Sequence, residues 1–128
     1  MPYVLDTSIA IPLRDDDAAV TGAVGALNEA ILLSIITRVE LEGGVHRFPD
    51  QAPARRARLD AMLASLPVLP FDDAAADVYR AIVEAAGYSR RKLLDRMIAA
   101  RAIVHRAKLV TRNPGDFRDI PGLDLETW

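Results

Sequence analysis

The sequence predicts an α/β protein with a central, mainly parallel sheet of four to five strands covered by helices. Three observations predict it. Short apolar runs (Tyr3-Val4-Leu5, Ala30–Ser34, Val68–Phe71 and Leu109–Thr111) alternate with longer stretches of helical period. Good helix caps follow the runs: Thr7 and Ser8 after the first, Thr37 after the second, Asp72 or Asp73 after the third. The 128 residues are 51% hydrophobic and 27% charged, which suits one packed domain over residues 1–128 and argues against disorder.

Taken in order, Tyr3-Val4-Leu5 reads as a buried strand that stops on Asp6, with a short helix from Ser8 to Arg14 after it. Asp6 is therefore either a cap or a site residue. Asp15-Asp16-Asp17 reads as favourable charge at the start of a helix running to about Asn28. After the second strand, Thr37 and Glu40 have capping-box spacing, so Glu40 has a structural explanation in a bond to the Thr37 amide. Its helical neighbours Ile36, Gly43 and Gly44 point it instead toward packed backbone. Pro49 to Pro53 makes a turn, and Arg55 to Leu66 carries an apolar stripe of Leu59, Met62, Leu63 and Leu66. An alanine-rich helix follows the third strand and ends near Gly87, with Tyr79 and Ile82 in the core.

Ser89 is the expected cap of a helix to about Lys108, with Leu94, Ile98, Ala99, Ala102 and Ile103 as its apolar stripe. Asp95 falls inside that stripe and must be paired with Arg91 or Lys92, metal-bound or protonated, because a bare buried charge costs several kcal/mol. Past the fourth strand, a turn presents Asn113 and Asp116, with Phe117 and Ile120 as loop anchors. Leu123-Asp124-Leu125 reads as an edge strand. His46 and His105 stand alone and read as surface or packing residues.

The chain has no cysteine, which excludes disulfides and thiolate metal sites and suits a reducing, cytoplasmic setting. Asp6 comes too early for a signal peptide, and no apolar run approaches the ~20 residues of a membrane helix. Net charge is -2, but it is unevenly spread. Residues 1–46 hold seven acids against two bases, a net of -5; residues 87–112 hold eight bases against one acid, a net of +7. The basic segment is either a solvated helix face or a surface for a polyanion.

Asp6 and Asp116 lie just past strands, and Glu40 and Asp95 lie in early turns of helices, so all four can converge at one edge of the sheet. An all-oxygen set of this kind suits Mg²⁺ or Mn²⁺. The chemistry that follows is phosphodiester cleavage by a metal-activated water.

These residues resemble a known family. Leu5-Asp6-Thr7-Ser8, Glu40 after a strand, Asp95 with Ile98-Ala99-Ala100, and Thr111-Arg112-Asn113-Pro114-Gly115-Asp116-Phe117 look like the four blocks of a PIN domain, and more narrowly of the VapC toxins of type II toxin–antitoxin systems. The resemblance runs from Tyr3 to Leu125. It implies a three-layer α/β/α sandwich, a divalent metal, endoribonuclease activity, a homodimer and a VapB-like antitoxin that blocks the site. Carried over by position, Asp6, Glu40, Asp95 and Asp116 form the acidic set, with Asp6, Asp95 and Asp116 on the metal. Thr7 or Ser8 steadies Asp6, and Thr111 and Asn113 support the site. The expected RNA path crosses Arg90, Arg91 and Lys92, with Arg112 on the other side. Two positions depart from the pattern: Asn113 stands where some PIN domains have another aspartate, and Arg96 follows Asp95 where a small or apolar residue is more usual. The competing readings are a receiver-like phospho-accepting module and a catalytically silent PIN fold that serves as a binding partner.

Overall fold

Val4 and Leu5 are both fully buried, yet they belong to different cores. Successive strand residues point to opposite faces. Val4, Leu32 and Leu109 therefore pack on one side of the sheet, and Leu5, Leu33 and Val110 on the other. Strands apolar on both faces need helices on both faces.

The computed structural model describes residues 1–128. Its strands are β1 (Tyr3–Leu5), β2 (Ile31–Ser34), β3 (Val68–Leu69), β4 (Lys108–Thr111) and β5 (Leu125–Thr127). All neighbouring strands pair in parallel, in the order β3-β2-β1-β4-β5. Helices α1 (Thr7–Arg14), α2 (Ala18–Gly25), α3 (Ile35–His46) and α4 (Ala52–Ser65) bring Ile9, Val20, Leu41, Val45 and Leu59 to one face. Helices α5 (Asp73–Ala86) and α6 (Leu93–Val104) bring Ile82, Ile98, Ala99 and Ala102 to the other, with Phe117 and Ile120. The result is the expected three-layer α/β/α sandwich. No helix is long and apolar enough to cross a membrane.

Several boundaries differ from expectation. Asp17 caps α2 through the Val20 amide at 3.0 Å, but α2 ends at Gly25 rather than near Asn28. The capping box at Thr37 does not form. Strand β2 passes straight into α3, Ser34 caps it through the Ile36 amide at 3.1 Å, and Thr37 is left buried inside the helix. The helix expected from Ser89 starts at Leu93, and Ser89 accepts only from the Lys92 amide at 3.3 Å. Asp95 thereby moves into the first turn. The same helix stops at Val104 because Arg106 adopts a left-handed φ of 53°. The Ala107 amide bonds back to the Ala102 carbonyl and the Arg106 amide to the Ile103 carbonyl, which is a Schellman ending built without glycine. The apolar stripe of α6 changes too: Leu94 is exposed and Arg96 is buried. The edge strand at the carboxyl end begins at Leu125, two residues later than the tail pattern suggests.

Gly87, with φ 84°, ends α5 as expected. Gly44 lies close to the buried Arg14 guanidinium: a Cβ there would sit 3.2 Å from it, so the guanidinium would have to move by a few tenths of an ångström. Phe117 and Ile120 anchor the loop after β4, both nearly inaccessible to water. Phe117→Ala is expected to lose about 3–5 kcal/mol of folding free energy, by removing a buried ring that the rigid sheet cannot collapse onto. Asp17→Ala should lose only about 1 kcal/mol, as a lost cap. Urea unfolding of the two variants checks the ranking.

Candidate active site

The chain builds β1, β2 and β3 outward in one direction and then returns to add β4 and β5 on the other side of β1. Neighbouring connections diverge there, which opens a crevice beyond the carboxyl ends of β1 and β4. Asp6 follows β1, and Thr111 ends β4.

Asp6 is both cap and site residue. Its extended backbone (φ -66°, ψ 159°) ends the strand, and its carboxylate starts α1. Oδ1 accepts from the Thr7 amide at 2.7 Å, and Oδ2 accepts from Ser8 Oγ and Thr111 Oγ1, both at 2.8 Å. The two hydroxyls are themselves held, since Ser8 Oγ accepts from the Arg112 amide at 3.1 Å and Thr111 Oγ1 from the Asn113 amide at 3.0 Å. Thr7 and Ser8 thus both steady Asp6. Asn113 contributes its main chain to this network, while its side chain is exposed.

Glu40 is exposed rather than aimed at packed backbone, and its partner is the Thr7 hydroxyl, which donates to Oε1 at 2.7 Å. Thr37 Oγ1 lies 3.1 Å from the same Thr7 oxygen. Thr7 has one hydroxyl hydrogen, so it donates to Glu40 or to Thr37 at any one time, and the shorter contact is to Glu40. Thr37 is the supporting residue that sequence reading missed. Its signal was present in the Thr37–Glu40 spacing, which places both on one helix face, but that spacing also spells a capping box.

Asp95 is half-buried and makes no ion pair; Lys92, its expected partner, reaches Asp119 instead at 2.9 Å. Burial pushes the Asp95 carboxyl up to about 6, and the negative charges of Asp6, Asp116 and Glu40 push it the same way. The field of each of the other three acids is therefore felt at Asp95. Asp116 closes a 3-10 turn, Pro114–Asp116, at the rim. No three Asp, Glu or His side chains draw together as a ready-made ion cage. The donor set nonetheless fits a hard divalent cation, being all oxygen with no thiolate. His46 and His105 are exposed and face no part of this group's hydrogen-bond network.

Of the expected basic path, Arg90, Arg91 and Arg112 are exposed and carry no ion pair, whereas Lys92 is tied to Asp119. Ser89–Lys92 precedes α6 rather than forming its first turn, which Asp95 occupies instead. Asp15–Asp17 form no cluster: Asp15 pairs with Arg14, Asp16 with Arg58, and Asp17 caps α2.

A PIN-domain family model matches residues 3–123. The chain belongs to the PIN-domain family. A relative of this PIN domain, ribonuclease VapC2 of Rickettsia felis, is 33% identical over 134 aligned positions, covering 100% of this chain and 98% of the relative. Among solved structures, VapBC2 from Rickettsia felis bound to a promoter DNA fragment aligns over 100% of this chain and 99% of that one, at 29% identity and a TM-score of 0.86. FitAcB from Neisseria gonorrhoeae aligns over 96% and 95%, at 29% identity and a TM-score of 0.83. The strand order also separates this PIN domain from a receiver module, whose doubly wound sheet runs 2-1-3-4-5.

The raised Asp95 carboxyl sets a pH dependence. A group with a folded pKa above its ordinary value favours the folded state fully below about pH 4, and that contribution is lost as pH climbs to about 6. In chelator, the protein should lose about 1–2 kcal/mol across this window, a value reduced for the solvent screening of a half-buried group. Asp95→Asn should flatten that part of the stability–pH curve, as read by denaturant midpoints at pH 4.5 and 7.

Proposed function

We propose that this PIN domain is a divalent-metal-dependent endoribonuclease, acting as the toxin of a VapBC-type pair and restrained by a VapB-like antitoxin. The observation that carries the reading is the set of four carboxylates at the switch point, three of which raise the pKa of the fourth. Repulsion of this kind is a cost to folding and is relieved by a bound cation. The ribonuclease VapC2 relative and the VapBC structural neighbours support RNA as substrate and an antitoxin as partner.

Asp6, Asp95 and Asp116 would hold Mg²⁺ or Mn²⁺. When bound, such an ion supplies charge neutralisation at the scissile phosphate and lowers the pKa of a water. Asp6 presents oxygens whose direction is fixed by three donors, so little reorganisation is needed. Glu40, exposed and oriented by Thr7, is placed to accept a proton. Arg90, Arg91 and Arg112 offer charge to the flanking phosphates. The chain acts as one unit, in the cytoplasm and as a homodimer.

Asp95→Asn should reduce RNA cleavage at least ~100-fold while keeping the fold, because an amide neither balances the cation nor repels its neighbours. Asp6→Asn should be equally inactive but less stable, since Asp6 also accepts from Ser8 and Thr111. Cleavage should stop in chelator and return with Mg²⁺ or Mn²⁺. A chelator-insensitive activity would overturn the reading, and no activity at all would favour a silent PIN fold.

If the exposed arginines contact phosphates, then alanine at Arg90, Arg91 and Arg112 together should flatten the plot of log affinity against log salt by roughly 0.7 per lost contact. An unchanged slope in RNA-binding titrations would place the RNA elsewhere.

A further inference from the structure

Arg96 is among the largest fully buried side chains in the protein, with 1% of its surface exposed. A buried guanidinium is costly, and a well-packed apolar residue of similar volume is often as stable or more so. Here the burial is not even fully compensated, because Arg96 Nε has no hydrogen-bond partner. The remaining nitrogens reach two separate segments. Nη1 donates to the Gly87 carbonyl at 2.6 Å, where α5 ends, and Nη2 donates to Asp119 Oδ2 at 3.2 Å. Lys92 Nζ meets the same Asp119 oxygen at 2.9 Å. The positions on either side give these contacts their meaning. Arg96 directly follows Asp95 on α6, and Asp119 lies three residues beyond Asp116 on the loop after β4.

We propose that Arg96 and Asp119 clamp α6 to the loop after β4 from behind the carboxylates, and so fix the separation of Asp95 and Asp116; Arg96 is a positioning residue for the reaction. The inference rests on the nuclease reading above. Asp95 and Asp116 repel each other, and each stands on a segment that repulsion would push outward. An opposite-charge pair one residue behind one acid and three behind the other pulls the same two segments together. Phe117 and Ile120 seat the loop in the core, and the Arg96–Asp119 pair adds a directional tie between that loop and α6. The Arg96 fork supplies direction, and its tie to Gly87 sets the height of the turn that carries Arg90 and Arg91.

The test uses the full chain with Mn²⁺ as the probe. Asp119→Asn removes the charge at a partly exposed position, so it should fold. Supporting groups behind metal ligands typically contribute 10–100-fold to metal affinity or activity. Asp119→Asn is therefore expected to weaken Mn²⁺ binding by about 10-fold in calorimetry without RNA. It should lower kcat by a similar factor, leave KM for RNA within about 2-fold, and stay folded in chelator with a denaturant midpoint lowered by the lost pair. Arg96→Met should match it, Arg96→Lys should recover part of the loss, and Arg96→Met combined with Asp119→Asn should be no worse than either alone. If Arg96→Met does not fold, Asp119→Asn decides. A folded Asp119→Asn protein with parental kcat and Mn²⁺ affinity, or losses that add in the double variant, overturns the clamp while the nuclease reading stands. A parent that neither binds Mn²⁺ nor cuts RNA overturns both.

Discussion

The structure depends on the Asp6 carboxylate. In one position it ends β1, caps α1 through the Thr7 amide and joins β1 to β4 through the Thr111 hydroxyl. It is 4% exposed, so every donor it accepts from is one that water does not replace. Ser8 and Thr111 then pass the constraint to the main chain of Arg112 and Asn113, which fixes where the last loop leaves the sheet. The carboxylate that the proposed function puts on the cation is thus held by the same bonds that fold the crevice.

The site opposes the fold elsewhere. The pKa of Asp95 is raised first by its own burial and then by the charges of Asp6, Asp116 and Glu40. The Lys92 charge offsets this rise in part, but none of the four acids closes an ion pair. Lys92 goes to Asp119, Arg14 to Asp15 and Arg101 to Asp72, all outside the acidic crevice. The ion pairs of the framework thus close elsewhere, and under the proposed function the remaining negative field is what a divalent ion meets.

The basic segment from 87 to 112 has two fates. Arg96 and Arg101 are buried and hold neighbouring loops through the Gly87 and Pro70 carbonyls. Lys92 and Lys108 pair with Asp119 and Glu126. Arg90, Arg91, Arg106 and Arg112 are left exposed without a partner. A formal excess of positive charge along a sequence therefore overstates the field that a polyanion meets, because half of these bases are structural.

The sequence by itself determined the class of the fold, because short runs apolar on both faces require a parallel sheet with helices on each side. It also placed Asp6 at a strand end, and the resemblance to PIN domains implied Thr7 or Ser8, Thr111 and Asn113 as its supports; Asp6 accepts from Thr7, Ser8 and Thr111. Tertiary structure decided what local rules leave degenerate. Ser34 rather than Thr37 caps α3, since both are good caps and only the path of β2 into the helix chooses between them. Leu94 lies outside and Arg96 inside, since α6 turns the Arg96 side toward Gly87 and Asp119, long-range partners that the local pattern does not contain. Arg106 ends α6 in a conformation that its residue type disfavours, held by bonds to Ala102 and Ile103. Asp119 gave no sign in the sequence, because its partners Lys92 and Arg96 are more than twenty residues away and meet it only once the loop has been seated by Phe117.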